Sequence, residues 1–182
     1  MRAVLLENLR FAVGDYLKNK LPTDENYCGN EELKLTVLLS WLEGKPDIFC
    51  HISKLPSLPT PPVKVEIRGH PRHNALAKDS KWVSERKPLE ELMGKDVNEL
   101  ILKGGDGSLL EGSQTNFYVI SNGTLCTAGE GILEGTVRHL VLKVCKDNDI
   151  PVSFDTPNLK DIDKWEGLYT HMIDFTIKNL FL

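Results

Sequence analysis

The chain has 182 residues, of which 41% are hydrophobic and 26% are charged, as in ordinary soluble globular proteins. Its formal net charge of -4 and sequence pI of about 5.7 argue against a nucleic-acid partner and against an anionic membrane surface. No apolar run reaches membrane-spanning length and no signal peptide opens the sequence, so we expect a cytoplasmic protein without a membrane partner.

The first part of the chain predicts a small α+β domain. Its predicted elements are a helix at residues 3–19, strands at 33–41, 48–53 and 63–68, and a turn at 44–47 between the first two strands. The proline-rich stretch at 55–62 is incompatible with the interior of a helix or strand. We predict the domain boundary at the bend Gly69-His70-Pro71, which divides domain 1–70 from domain 71–182.

In the second part, predicted helices and strands alternate, which indicates a mixed α/β fold. The predicted elements are a helix at 79–93 with Pro88 as a candidate break, strands at 98–102 and 109–121 joined by the turn Gly104-Gly105-Asp106-Gly107, a strand at 125–127 that returns across Asn122-Gly123, a helix that begins at Thr136, a strand at 150–154 and a short helix at 158–165.

The cysteines predict reduced thiols and no metal site. Cys28, Cys50, Cys126 and Cys145 form no CxxC pair, and no histidine stands at metal-ligand spacing from them. Cys145 falls on the apolar stripe of the helix that begins at Thr136, so we expect it in the core.

Three features suggest a site, although each has a plain structural explanation by itself. The stretch LLEGSQTNFYVISNG places Glu111 before a run of small and polar residues, where an edge strand in water would also tolerate a glutamate. Gly135-Thr136-Val137 opens a helix, and its backbone N–H groups could face an anion or simply be capped. Lys78 and Lys81 precede a helix, where most lysines are solvated.

In this order, the three features resemble the class IV pyridoxal-phosphate enzymes, which include branched-chain and D-amino-acid aminotransferases and aminodeoxychorismate lyase. The resemblance lies in RHNALAKDSKWVSERKPLEEL, LLEGSQTNFYVISNGTLCTA and GILEGTVRHLVLKVCKDNDIPV, and covers roughly residues 72–166. The form AKDSKWVSERKPLE is most similar to a eukaryotic branch of the class that is well represented in plants.

The resemblance implies pyridoxal 5'-phosphate (PLP) as cofactor and gives several residues a role. Lys78 matches the lysine that forms the Schiff base, and we prefer it to Lys81 because it lies 33 rather than 30 residues before Glu111. Glu111 matches the carboxylate that pairs with the pyridine nitrogen and keeps it protonated. Cofactor-binding positions are also implied at Asn116, Gly135, Thr136 and Val137.

The resemblance further implies a homodimer that acts on a small-molecule amino donor and acceptor, and a class IV aminotransferase-like fold. We expect the small residues after Glu111 to leave room for the cofactor ring, and we expect Glu111 to have no lysine or arginine partner. The family's N-terminal arginine segment and its Thr/Ser-rich turn after Trp165 are not matched, which predicts a chain truncated at both ends. The alternative is therefore a catalytically impaired isoform, or a non-catalytic interaction protein that retains the fold.

Overall fold

A computed structural model describes residues 2–20, 32–57, 59, 62–170, 173–175 and 180–181 of the chain. The chain forms two compact units, Met1–Leu58 and Pro59–Leu182. The domain boundary predicted at residues 69–71 stays a prediction, and that bend falls within the second unit. Cys28 lies outside the described residues.

The described residues of the first unit form one helix and one hairpin. Helix α1 (Arg2–Lys20) contacts strand β2 (Lys45–Lys54), which pairs antiparallel with β1 (Leu33–Leu42). The turn is shorter than the predicted residues 44–47, because Glu43 and Gly44 alone make it with positive φ angles of 49° and 77°. Pro46 is already in the strand opposite Trp41, which a two-stranded sheet allows because each strand has a free edge.

The second unit combines two sheets with two α-helices and a short 3-10 helix. Its elements in chain order are β3 (Val65–Ile67), α2 (Lys81–Glu91), β4 (Glu99–Lys103), β5 (Leu109–Gly112), β6 (Phe117–Ser121), β7 (Thr124–Cys126), α3 (Thr136–Asp147), β8 (Val152–Ser153), the 3-10 helix Leu159–Lys164, β9 (Gly167–Thr170), β10 (Ile173–Phe175) and β11 (Leu180–Phe181). One sheet has the order β11-β3-β4-β5 and the other the order β10-β9-β6-β7-β8. Parallel and antiparallel pairs occur in both sheets, which confirms the predicted mixed fold class.

Most of the predicted elements are present, and the differences have physical reasons. The strand predicted at 109–121 is two strands, β5 and β6, which belong to different sheets. Pro88 does not break α2, which carries three i,i+4 ion pairs. The hairpin turn at Asn122-Gly123 is confirmed, since both residues have positive φ.

The core lies where the two sheets pack on each other. Val65, Ile101 and Leu109 from the four-stranded sheet meet Phe117 and Leu168 from the five-stranded sheet. A second cluster, formed by Tyr118, Leu125 and Cys145, packs α3 on the five-stranded sheet and confirms the predicted burial of Cys145. In the described part of the chain, no helix is both long and apolar enough to cross a membrane.

Candidate active site

The site is built at the point where the chain passes from one sheet to the other. Glu111 lies near the end of β5, Asn116 directly precedes β6, and an isolated antiparallel bridge joins the two residues. Both are only 3% exposed. The passage between the sheets therefore fixes two predicted cofactor-binding residues side by side at the edge of the core.

The carboxylate of Glu111 is held by one backbone group and one cation. The Leu133 N–H donates to Oε2 at 2.9 Å, and Nη1 of Arg72 lies 3.5 Å from Oε1. Burial raises the pKa of Glu111 above its ordinary value, while the Leu133 N–H and Arg72 oppose that shift. The expectation that Glu111 has no arginine partner is thus wrong, because Arg72 comes from a segment far from it in sequence.

The start of α3 is joined to Glu111 and Asn116 through Leu133. The Asn116 side-chain amide donates to the Leu133 carbonyl at 2.7 Å, and the Gly135 N–H donates to the same oxygen at 2.9 Å. A Cβ at position 135 would lie only 2.5 Å from Oδ1 of Asn116. Glycine at this position is therefore required for the close approach of the helix start to the β6 entry.

The first turn of α3 presents backbone N–H groups. Gly135 is the N-cap, and no side chain caps the helix. Thr136 and Val137 are both exposed, so their N–H groups are not enclosed by the core. Such a helix start attracts anions, because its amide groups and its dipole both favour negative charge.

Lys78 lies on the segment that leads into α2. The lysine is exposed, and its ammonium group forms no hydrogen bond or ion pair with another described residue. The carbonyl of the preceding residue, Ala77, accepts a hydrogen bond of 2.9 Å from Nη2 of Arg72, the arginine that contacts Glu111. A continuous set of contacts therefore leads from the backbone next to Lys78 to the Glu111 carboxylate.

Lys81, the alternative to Lys78 as the Schiff-base lysine, forms an ion pair on the surface of α2. It is the first residue of α2, its side chain is 70% exposed, and its ammonium group pairs with Glu85 at 3.3 Å. This is an ordinary i,i+4 ion pair on a solvated helix face.

The polar residues that follow Glu111 donate hydrogen bonds to another carboxylate, that of Glu99. Glu99, 7% exposed, accepts hydrogen bonds from the Ser113 hydroxyl at 2.7 Å, the Ser113 N–H at 3.1 Å and the Thr115 hydroxyl at 2.9 Å. A further bond of 2.7 Å comes from the Leu100 N–H. The hydroxyl groups of Ser113 and Thr115 therefore bind Glu99 and fix the turn between β5 and β6, and the room expected for a ring beside the small residues stays a prediction.

Replacing Glu99 by leucine is expected to lower the free energy of unfolding by about 3 kcal/mol, because the hydroxyl groups of Ser113 and Thr115 would lose their acceptor, while the Ser113 N–H keeps its bond to the Leu100 carbonyl. The matched control is Glu90→Ala, since Glu90 also bonds a residue of this turn, Gln114, but its side chain is 32% exposed and also pairs with Arg86. That control should cost less than about 1 kcal/mol. Urea unfolding of both variants measures the difference, and equal losses would contradict the assignment.

Sequence reasoning missed three residues that shape the site: Arg72, Glu99 and Arg138. Arg138 is 1% exposed and donates to the Thr127 hydroxyl at 2.8 Å and to the Ala128 carbonyl at 2.9 Å, which ties α3 to the end of β7. A signal for Arg138 was present, because Glu134 stands four residues before it and pairs with it. The described residues contain no group of His, Cys, Asp and Glu side chains that could hold a metal ion.

Comparison with known proteins relates the chain to a family. A curated Methanocaldococcus jannaschii protein, provisionally named as a branched-chain-amino-acid aminotransferase, is 27% identical over 139 residues, which are 69% of this chain and 46% of that protein. A Thermotoga maritima protein with a similarly provisional name is 31% identical over 104 residues, or 56% of this chain and 33% of that protein. The chain thus spans half or less of the length of these curated relatives.

Solved structures show the same fold. A fold IV transaminase of Curtobacterium pusillum, CpuTA1, superposes with a TM-score of 0.67 at 21% identity and covers 92% of this chain and 60% of its own. An aminotransferase of Brucella abortus bound to PLP gives a TM-score of 0.68 at 14% identity and covers 91% and 66%. The sequence profile of the family described as Amino-transferase class IV matches residues 16–170. With most of its length matched by that profile, the chain belongs to the class IV aminotransferase family.

Proposed function

We propose that this chain carries the cofactor site of a PLP-dependent aminotransferase or lyase, with Lys78 as the lysine that binds the cofactor covalently. The observation that carries the proposal is the run of contacts from the backbone next to Lys78, through Arg72, to Glu111 and on through Leu133 to the start of α3. These contacts lead from a lysine-bearing segment through a buried carboxylate to a helix start of the kind that attracts anions.

The residues present fit the chemistry of PLP at both ends of that molecule. Glu111 is a buried carboxylate whose Oε1 has only a long contact of 3.5 Å to Arg72, so it can accept a hydrogen bond from a protonated pyridine nitrogen. The N–H groups of Thr136 and Val137, at a helix start without a side-chain cap, suit a phosphate, whereas the Gly135 N–H already donates to the Leu133 carbonyl. The absence of a side chain at Gly135 keeps Asn116 and the helix start close together.

Each residue has one task in this proposal. PLP, when bound, supplies an electron sink that stabilises a carbanion at the carbon that bears the amino group. Lys78, released as a free amine, is a general base of suitable chemistry to move the proton on that carbon. Glu111 holds the pyridine nitrogen protonated, Asn116 fixes the helix start beside Gly135, and the N–H groups of Thr136 and Val137 bind the phosphate.

The substrates are proposed to be a small amino acid or another small amino-substituted molecule, with a keto acid as acceptor. Two curated relatives carry the name branched-chain-amino-acid aminotransferase, and this supports an amino-acid substrate. The homodimer implied by the family resemblance is part of the same proposal. The titration with PLP described next distinguishes the enzyme from the impaired or non-catalytic alternative.

Cofactor binding by the purified chain is expected to be weak, with little transamination. The phosphate end offers backbone amides, whose helix dipole contributes on the order of 1 kcal/mol. The cation nearest to them in sequence, Arg138, donates its bonds to Thr127, Ala128 and Glu134 instead. Titration with PLP should show the absorbance of a lysine-bound cofactor only at cofactor excess, and 2-oxoacid release from a panel of amino acids should be slow.

Two outcomes would change this view. Tight, stoichiometric binding with clear turnover would contradict the expected weakness and support a competent enzyme. No lysine-bound absorbance at any cofactor concentration, in a chain that is folded by circular dichroism, would contradict the proposed function and favour the non-catalytic alternative.

A further inference from the structure

Arg72 is a buried cation at the centre of the contacts around Glu111. Its side chain is 7% exposed, beside a Glu111 side chain that is 4% exposed. The guanidinium group lies 5.3 Å from the centre of the Trp82 ring, and its buried Nε has no hydrogen-bond partner among the described residues. Desolvating an arginine is costly unless the charge is paired, so its position calls for an explanation.

Beside the Leu133 N–H, Arg72 is the group that favours the charged form of Glu111 among the described residues. In the described part of the chain, the charged groups that act on Glu111 are Arg72, which favours its ionised form, and Glu99, which disfavours it. The Leu133 N–H is neutral and binds the other carboxylate oxygen. Without Arg72, Glu111 would face burial and a like charge with a single amide as support.

We propose that Arg72 is a positioning residue for Glu111, which holds that carboxylate ionised and fixed in orientation for the pyridine nitrogen of the proposed cofactor. The inference rests on the proposed function, because it takes the pyridine nitrogen as the group that Glu111 serves. Arg72 is not assigned any contact with substrate.

The geometry explains how Arg72 holds its own position. Nη2 is fixed by the Ala77 carbonyl at 2.9 Å, and the Trp82 ring lies against the guanidinium group. The Trp82 indole N–H donates to the Ser113 carbonyl at 2.7 Å, in the turn that follows Glu111. Arg72 therefore joins the backbone before Lys78, the first turn of α2 and strand β5, which carries Glu111. Displacement of any one of these elements would change the position of the guanidinium group relative to the Glu111 carboxylate.

The test is a titration of the Glu111 carboxyl group by carbon-13 NMR in the cofactor-free protein, with assignment by Glu111→Gln. Arg72→Gln is expected to move the Glu111 titration to higher pH, because the cation that lowers its pKa is removed. Arg72→Lys keeps the charge and should return the titration most of the way to that of the unmodified chain. The matched control is Arg68→Gln, since Arg68 pairs with Glu66 at 3.0 Å but is 38% exposed, and it should leave Glu111 unchanged.

A measurement on the unmodified chain decides the question even if the Arg72 variants do not fold. The nitrogen-15 signals of the Arg72 guanidinium should shift at the pH at which Glu111 titrates. Guanidinium signals that stay constant through that titration would overturn the proposal. So would an Arg72→Gln protein that is folded and titrates Glu111 at the original pH.

A second readout connects Arg72 to the cofactor. The pH below which PLP binding is lost should move upward in Arg72→Gln, together with the Glu111 titration, and should be restored in Arg72→Lys. A binding profile that does not move while the titration does would overturn the positioning role. Failure of the unmodified chain to bind PLP would count against the proposed function, and the titration of the cofactor-free protein would still decide whether Arg72 controls Glu111.

Discussion

Replacing Lys78 by alanine is expected to abolish covalent cofactor attachment and to reduce any transamination by at least about 10²-fold, the lower bound for loss of a general base. Lys78 is exposed and forms no ion pair or hydrogen bond with another described residue, so the substitution should leave stability nearly unchanged. The measurement is borohydride reduction at saturating PLP, followed by peptide mapping, which should locate the reduced adduct on Lys78 even where binding is weak.

Lys81→Ala is the matched control, because Lys81 lies three residues later and pairs only with Glu85 on the helix surface. It should cost about 0.5 kcal/mol or less and leave the adduct at Lys78. An adduct on Lys81 would keep the family assignment and contradict the choice of lysine. An adduct spread over several surface lysines would indicate nonspecific attachment and contradict a built site.

Local patterns predicted the elements that depend on local chemistry. The helix at Thr136–Asp147 follows from its apolar stripe and its position after Gly135. The β6-β7 hairpin follows from Asn122-Gly123, a pair that tolerates positive φ, as observed at 49° and 68°. The predicted helix at residues 3–19 is α1, and the predicted strands at 33–41 and 48–53 are β1 and β2.

Long-range contacts could not be predicted in the same way. Glu99 lies 14 residues before Ser113, and nothing in their spacing indicates that the hydroxyl would bind that carboxylate. This bond explains why the polar run interrupts the predicted strand at 109–121, since the turn it fixes separates β5 from β6. Local propensity describes a strand as a stretch of sequence, whereas membership in one sheet or the other depends on tertiary pairing.

Arg72 is the clearest example of what the sequence could not reveal. It lies 39 residues before Glu111, and its own surroundings, RHNALAK, resemble an irregular, solvated segment. Arg72 is buried only because the segment folds against β5, so its burial cannot be predicted from the local sequence. The family resemblance assigns Glu111 a role toward a cofactor, but it does not predict which protein group balances the carboxylate when that cofactor is absent.

Replacing Glu111 by alanine is expected to lower the free energy of unfolding by about 3 kcal/mol, the scale on which one partner of a buried ion pair is lost. The reason is that Arg72, 7% exposed, would remain as a buried cation bonded only to the Ala77 carbonyl and packed on Trp82. The Leu133 N–H would lose its acceptor as well. Denaturant unfolding of the cofactor-free protein measures this loss of stability. The loss should be larger than that expected on removing a carboxylate that has no buried ion-pair partner.

Two further variants show whether Glu111→Ala destabilises the protein through the unpaired Arg72 cation or through loss of side-chain packing. Arg72→Met combined with Glu111→Ala removes both charges, so the double variant should be more stable than Glu111→Ala alone, because an apolar replacement of a buried pair avoids the unpaired cation. Glu134→Ala is the control, since Glu134 also pairs with a buried arginine but is 50% exposed, and Arg138 keeps its bonds to Thr127 and Ala128. That change should cost less than about 1 kcal/mol. If Glu111→Ala proved as mild as Glu134→Ala, the ion pair with Arg72 would be too weak to position Glu111, and the carboxylate would depend on its Leu133 contact alone.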